Sequence, residues 1–255
     1  MDTIEEVFET RAVAFLDILG FKVLTKEAET NRDRLSDLSE LRTILDSHVK
    51  FDNKLLSSSV PNEMKPRYIF ISDSIIMSVP LQHDIYDGLV VIVIKATQIA
   101  NKLLEIGYLL RGGIAVGPVW HDNSNIFGTG YIDAVNAEKE ANHPRIILTE
   151  NAVQHWNNST HFGISLPQTS LCIKYHDAMI VDTLCQEYVS NEHIWSSLED
   201  IFTKYRNHII NNLQKKIPGS PERGKWEWIA AFFNRAVSQY KINVQPFIEF
   251  PFPQH

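Results

Sequence analysis

Two apolar, strand-like segments of this chain each contain a single aspartate, and these two acids constrain the fold more than any other feature. Asp17 lies in the run Phe-Leu-Asp-Ile-Leu-Gly-Phe at 15–21, and Asp73 lies in Tyr-Ile-Phe-Ile-Ser-Asp-Ser-Ile-Ile-Met at 68–77. An ionised carboxylate in an apolar strand is costly unless a cation or another partner compensates its charge. Two such strands side by side would form a two-metal site, and oxygen ligands suit hard ions such as Mg²⁺ or Mn²⁺.

The composition is that of a globular protein, and its charge balance argues against general binding to nucleic acid. Hydrophobic residues make up 44% of the 255 residues and charged residues 22%, without a linker-like shift, so we expect one domain over residues 1–255. The net charge of −7 disfavours DNA, RNA and anionic membranes as partners. The first dozen residues are acidic, and the most apolar stretch, 89–94, is far too short to span a bilayer. We therefore expect a cytoplasmic protein.

The order of hydrophobic patterns predicts an α/β (α+β) domain of ferredoxin-like βααββαβ type, with a catalytic core at about 10–150. A buried strand should run from Ala12 to Leu19, followed by a helix from Asp33 to about Val49 and a loop at 57–62. Two strands, 67–71 and 75–79, should meet at Ser72-Asp73-Ser74. A helix from Asp84 to about Ile106, capped by Asp84 or His83, then leads to a strand at 108–120.

Extra strands and helices should follow this core. The patterns predict a helix at 131–141, a strand at 145–148 and a C-terminal helical extension at about 190–245. In that extension we expect one helix from about Asn191 to Lys215 and another from Lys225 to Tyr240.

Four segments of the chain are informative as a set: Phe-Leu-Asp-Ile-Leu-Gly-Phe at 15–21, Ser-Asp-Ser-Ile at 72–75, Leu-Arg-Gly-Gly-Ile-Ala-Val-Gly at 110–117 and Pro-Arg-Ile-Ile at 144–147. Together with a later Lys225-Trp226-Glu227-Trp228 element, they resemble the class III nucleotidyl cyclases. Within that class they resemble the pyrimidine cyclases of bacterial Pycsar-type antiphage systems. The resemblance spans roughly 13–148 and returns at the last helix, and the order and spacing of the segments make it fairly specific.

The resemblance implies that a ribose 3′-hydroxyl attacks the α-phosphate of its own triphosphate at two divalent cations, Mn²⁺ or Mg²⁺. Asp17 and Asp73 would bridge both ions, and the Ile18 carbonyl is a further candidate ligand. The backbone of Ile18-Leu19-Gly20-Phe21 would hold the phosphates. Candidate cations for the phosphate charge are Lys225, ranked first, then Arg111 and Arg145. Each residue also has a structural interpretation: the acids as solvated turn residues, the arginines as ion pairs and Lys225 as an exposed helix start.

The sequence departs from the purine cyclases at two positions. Ile69 stands four residues before Asp73, where the resemblance leads us to expect an adenine-reading lysine. The expected transition-state arginine falls on Glu140 or Glu138, depending on the register. Tyr68, by its size, is a candidate wall of a base pocket too small for a purine.

These features favour a pyrimidine nucleotide cyclase that converts UTP, or else CTP, to cyclic UMP or cyclic CMP and pyrophosphate. The resemblance implies a homodimer with active sites at its interface, with the central hairpin and the last helix as the seam. It also implies a cyclic product that acts on a separate effector protein during phage infection. Two alternatives remain: a catalytically inactive nucleotide-binding or dimerisation module with this fold, and a purine (adenylate or guanylate) cyclase.

Overall fold

The computed structural model describes residues 8–49, 61–192 and 196–244. The strands are β1 (Glu9–Leu19), β2 (Arg67–Ile71), β3 (Ser74–Pro80), β4 (Gln82–His83), β5 (Tyr86–Asp87), β6 (Leu109–His121), β7 (Ile126–Phe127), β8 (Ile146–Leu148), β9 (Thr160–His161), β10 (Ile164–Ser165), β11 (Cys172–Tyr175) and β12 (Ala178–Val181). The helices are α1 (Phe21–Ala28), α2 (Arg32–Val49), α3 (Gly88–Glu105), α4 (Thr129–Glu140), α5 (Glu150–Asn158), α6 (Gln186–Glu192), α7 (Leu198–Lys215) and α8 (Pro221–Tyr240).

The central sheet has the strand order β11-β12-β8-β6-β1-β3-β2. β1 pairs antiparallel with both β3 and β6, and β2 pairs antiparallel with β3. The four strands β6-β1-β3-β2, with α1 and α2 after the first strand and α3 before the last, form the predicted ferredoxin-like unit. β8 runs parallel to β6 and begins the three-strand extension of the sheet. The predicted α/β fold class, including the extra strands, is confirmed.

The two faces of the sheet carry different layers. On β1, Ala12, Ala14 and Leu16 are buried in the main core, which α3 also lines. Val13, Phe15 and Asp17 alternate with them and therefore point to the opposite face. α4 covers part of that face, where Ala134 packs against Val13 and its neighbours. Asp17 thus lies on the α4 face of the sheet, at the end of its strand.

Helices α7 and α8 build a second core at the end of the sheet. Their buried side chains, including Phe202 and Phe233, pack with Leu104 and Leu109 from the α3–β6 connection. The buried carboxylate of Asp182 fixes α8, because it accepts hydrogen bonds from Arg235 at 2.7 Å and from Tyr240 at 2.8 Å.

Three details of the predicted elements are wrong. The helix predicted from Asp84 begins at Gly88, because residues 82–87 form the β4–β5 hairpin and Asp87 caps α3 through Leu89 N–H and Val90 N–H. The helix predicted at 191–215 is two helices, and Ser197 caps the second. α8 begins at Pro221 rather than Lys225, and most of its apolar side chains, including Phe232 and Phe233, are buried within this chain.

Residues 57–60 of the predicted loop and residues 193–195 of the predicted helix lie outside the described residues. Across the helices that are described, none has both the length and the hydrophobicity that a transmembrane segment requires.

Candidate active site

Asp17 and Asp73 come together where β1 ends beside the β2–β3 turn. Asp17 is paired across the sheet with Ser74, the residue after Asp73. The Ile18 N–H donates a 3.0 Å hydrogen bond to the Asp73 carbonyl oxygen. The N–H and C=O of a strand residue project to the same edge, so the Ile18 carbonyl also faces this turn. Both carboxylates and the Ile18 carbonyl therefore belong to one cleft.

Negative charge accumulates around Asp17. Burial raises the pKa of its carboxyl group above the ordinary value, and the carboxylates of Asp73 and Glu138 raise it further. Arg111 and Lys22 act in the opposite direction. The balance is an upward shift of the pKa, so the ionised form of Asp17 is under-compensated in this protein. A bound cation would supply the missing compensation.

The chain after Asp17 forms a turn that opens helix α1. Gly20 adopts a left-handed conformation with φ 88°, which glycine reaches without steric cost, and its carbonyl accepts from Val23 and Leu24. No side chain caps this helix start, and residues 18–21 line the cleft. The first N–H groups of α1 thus remain available to an anion, as the sequence predicts for a phosphate-binding turn.

Arg111 and Glu138 lie beside the aspartates on the same face. Arg111 is opposite Asp17 in the β1–β6 register, and its Nη2 lies 3.4 Å from the Asp17 Oδ2. The same guanidinium is ion-paired with Glu138, whose side chain is only 7% exposed. The buried Arg111 Nε–H has no hydrogen-bond acceptor within the part of the chain that the structure describes. Arg111 therefore links two acids and keeps one donor unused.

The cleft that contains these groups has a volume of about 860 Å³. One wall is the β1 end and α1, and the other comes from the C-terminal helices. That second wall includes His208, Asn211, Asn212, Lys215 and Lys216 from α7 and its end, and Glu222, Lys225 and Trp226 from α8. Lys225 is half-buried in this wall. The structure therefore brings Asp17, Asp73, Arg111 and Lys225 together with the 18–21 turn.

Two predicted site residues are not in the cleft. Tyr68 is paired with Met77 and packs on the main core beside Phe70, on the face opposite to Asp17, because neighbouring strand residues alternate. Arg145 is buried and donates to the Ala141 carbonyl at 2.9 Å and to Asp177 at 2.9 Å, which is a structural role. Neither placement brings the side chain near the aspartates.

The cleft also contains groups that the sequence did not single out. Lys22 follows the Gly20 turn, and its position on the first turn of α1 was a usable local signal. The sequence named Glu138 only as one of two positions where the expected arginine is replaced. In the structure Glu138 is buried beside Arg111, whereas Glu140, the other position, is exposed. Lys215 and Lys216 reach the cleft only through the packing of α7, so no local signal marked them.

The donor set fits hard divalent cations that share ligands with a substrate. Two carboxylates and one backbone carbonyl are oxygen donors, and Mg²⁺ typically binds through one or two carboxylates plus substrate phosphates. Among the described residues, no group of three or more His, Cys, Asp or Glu side chains is arranged to hold a metal ion. The site therefore fits a metal that arrives with a phosphate ligand better than a metal held by side chains alone.

No protein-family model and no curated protein matches this sequence. Among solved structures, the chain is similar to the catalytic core of a rhodopsin-guanylyl cyclase with converted specificity in complex with ATPαS (15% identity, TM-score 0.45, 68% of this chain and 96% of that one). It is also similar to the guanylyl cyclase domain of the RhoGC fusion protein from Blastocladiella emersonii (15%, 0.44, 68% and 94%). A third is a class III adenylyl cyclase-like ATP-binding protein from Pseudomonas aeruginosa (11%, 0.41, 87% and 43%). Similarity at these identities and TM-scores assigns no function to this chain.

Proposed function

We propose that this protein is a class III nucleotidyl cyclase that converts a pyrimidine nucleoside triphosphate, UTP in preference to CTP, to the 3′,5′-cyclic monophosphate and pyrophosphate. In this reaction the ribose 3′-oxygen bonds to the α-phosphorus, the bond to the bridging oxygen of the β-phosphate breaks, and the hydroxyl proton leaves. The observation that carries the proposal is the meeting of Asp17 and Asp73 at the Ile18–Asp73 hydrogen bond, beside an uncapped helix start.

Each of the predicted groups that line the cleft has a part in this proposed chemistry. Asp17, Asp73 and the Ile18 carbonyl would hold two divalent cations, Mg²⁺ or Mn²⁺, which lower the pKa of the 3′-hydroxyl and neutralise phosphate charge when bound. The first N–H groups of α1 are suited to hold phosphate oxygens. Arg111 and Lys225 line the same cleft and supply positive charge for the negative charge that develops on the phosphates.

The base preference rests on Ile69 and on the sequence resemblance. Ile69 is paired with Ile76, which is opposite Phe15, so the three lie on the Asp17 face. An isoleucine there offers no hydrogen bond to an adenine edge. By the same resemblance, the cyclic product would activate a separate effector protein in antiphage defence.

A homodimer with shared active sites is part of this proposal. Most apolar side chains of α8 are buried within the chain, whereas an exposed apolar patch lies on the β6–β7 hairpin and α4. It consists of Trp120 (41% exposed), Phe127 (51%) and Ile132 (54%), with the two aromatic rings 5.4 Å apart. We place the contact with the second copy there.

A catalytically inactive nucleotide-binding module is the second candidate, because Glu138 stands at one position where the resemblance expects a transition-state arginine. Incubating the purified protein with each of the four nucleoside triphosphates and Mn²⁺, and identifying products by mass spectrometry, separates the candidates. We expect cyclic UMP or cyclic CMP. Cyclic AMP or cyclic GMP would identify a purine cyclase, and binding without turnover would favour the inactive module.

The aspartate pair provides the matched test. Asp17→Ala and Asp73→Ala should each reduce product by at least about 100-fold, the scale for loss of an essential electrostatic group. Asp133→Ala, on the partly exposed surface of α4 outside the cleft, serves as the control. Retained activity in either aspartate variant would remove that residue from the metal site.

A further inference from the structure

The connection between α7 and α8 places two lysines in the cleft that carries Asp17 and Asp73. Lys215 is the last residue of α7 and Lys216 follows it, and both line the cleft together with Lys225. These three lysines form no ion pair within residues 8–49, 61–192 and 196–244, although acids also line this cleft. Their positive charges are therefore not neutralised by an ion pair among the described residues.

The two lysines are held in place by a clamp. The Arg223 guanidinium donates to the Leu213 carbonyl at 2.8 Å and to the Lys216 carbonyl at 3.4 Å, while its Nε donates to Glu227 at 2.8 Å. This arrangement satisfies the Leu213 carbonyl in the last turn of α7 and ties the end of that helix to the first turns of α8. Ser220 caps α8 by accepting from Arg223 N–H. The backbone that carries Lys215 and Lys216 is thus fixed relative to the cleft.

The acids on the α1 and α2 side of the cleft are largely compensated within that side. Arg34 pairs with Glu27 at 2.9 Å and with Asp37 at 3.0 Å. Glu40 and Glu222 also line the cleft. A compact, multiply charged anion that enters between α1 and the α7–α8 connection would meet the uncapped start of α1 on one side and the lysines on the other.

We propose that Lys215 and Lys216 bind the terminal phosphates of the nucleoside triphosphate, so that the chain that holds the α-phosphate at its aspartates also grips the β- and γ-phosphates. This assignment rests on the proposed cyclase function and adds the polyphosphate-binding residues to it. Lysine supplies a mobile point charge with three donors, which suits an anion whose oxygens move as pyrophosphate departs. All three phosphates are then bound by residues of one chain, independently of any residue by which a partner subunit binds the base.

Binding of inorganic tripolyphosphate with Mg²⁺, measured by calorimetry, tests the assignment without depending on the base. We expect Lys215→Ala/Lys216→Ala to weaken tripolyphosphate binding by about 10- to 100-fold, as the loss of one or two charge-assisted contacts predicts. Lys215→Arg/Lys216→Arg should keep most of the affinity. The control Lys174→Ala/Lys204→Ala removes the same charge from exposed positions outside the cleft and should bind like the wild type.

The outcomes separate this inference from the proposed function. Wild-type affinity in the alanine double variant, an equal loss in the control, or no tripolyphosphate binding by the wild-type protein would each overturn the lysine assignment. If the alanine variant binds normally while Asp17→Ala abolishes cyclisation, the cyclase proposal stands and the lysine assignment fails. If the lysines control tripolyphosphate binding but no triphosphate is cyclised, the assignment of the phosphate-binding residues is supported and the cyclase proposal fails.

Discussion

Asp17 combines the position of a proposed metal ligand with an unfavourable electrostatic environment. It is half-buried near two other carboxylates, and the result is a raised pKa. A raised carboxyl pKa means that the folded protein binds the proton more tightly than the unfolded chain does. The cost to stability is absent below the ordinary pKa of the group, develops as the pH rises from that value through the raised pKa, and is complete above the raised pKa.

We expect Asp17→Asn to increase the free energy of unfolding of the metal-free protein at pH 7, because the amide removes the under-compensated charge. The gain should disappear near pH 3, where Asp17 is protonated in both states. Denaturant unfolding at the two pH values, in the presence of a chelator, measures it. A variant that is less stable than the wild type at pH 7 would contradict the charge balance inferred for this site.

The same variant tests metal binding without using activity. Divalent cation at about 100 times its dissociation constant should stabilise the wild-type protein by about 2.7 kcal/mol. For a chain of this size the corresponding rise in Tm is roughly 5–10 °C. Asp17→Asn should lose most of that rise in Mn²⁺ titrations. An equal rise in both proteins would place the ion elsewhere.

Local sequence context was enough to select Asp17, Asp73 and Gly20, which line one cleft in the structure, but it did not identify the rest of that cleft. An acid inside an apolar strand, or a glycine directly after one, is informative by itself because burial makes it expensive or the turn requires it. Glu138, by contrast, lies in a helix whose sequence does not say which side faces Asp17. The size of Tyr68 suggested a wall of the base pocket. Because side chains alternate along β2, Tyr68 instead points to the main core, on the same face as its partner Met77.

At the scale of elements, the position of α4 depends on how closely it approaches β6. Gly113 has no side chain, and a Cβ there would lie 2.6 Å from the Ala137 Cβ and would also collide with the Ala134 carbonyl oxygen. This close contact brings Glu138, one residue further along α4, beside Arg111. Helix position and site electrostatics are therefore coupled through one glycine.

We expect Gly113→Ala to destabilise the protein by about 1–3 kcal/mol, the usual cost of overpacking, and to lower cyclase activity by moving Glu138 and Arg111. Gly224→Ala is the control, because its Cβ would meet no atom within 4 Å and alanine favours a helix interior. Thermal unfolding and turnover should be measured on both. Equal stability of the two variants would show that α4 tolerates the added methyl group.

The element boundaries that the sequence missed share a physical cause. Periodicity finds the apolar face of a helix but not its first residue, which is set by capping. The α3 cap, Asp87, is the last residue of a two-strand hairpin whose tight turn puts Asp84 at φ 51°, and no pattern of period 3.6 or 2 marks so short an element. Likewise, Ser197 starts α7 by accepting from Asp200 N–H.

At the scale of the whole molecule, the cleft walls come from one chain and the exposed apolar patch lies on α4 and the β6–β7 hairpin. We expect Trp120→Asp/Phe127→Asp to convert a wild-type dimer into a monomer in light scattering. The monomer should bind tripolyphosphate as the wild type does, yet lose turnover by about 100-fold or more, since the partner's groups are missing.

The exposed Ile164 on β10 provides the control for that experiment. Ile164→Asp adds a charge at a similarly exposed apolar position and should leave both mass and turnover unchanged. A wild-type protein that is monomeric yet active would show that no partner is needed, and a double variant that stays dimeric would move the interface to another surface.

The hydrogen bond between Ile18 and Asp73 joins a strand terminus to a hairpin tip. β3 continues from this tip as a strand paired with β1 as far as Pro80, and its Ile75 and Met77 are buried in the main core. The separation of the two aspartates is therefore set by the strand pairing and not by the repulsion between their charges. A cation that enters between them meets preorganised ligands, so little conformational entropy is lost when it binds.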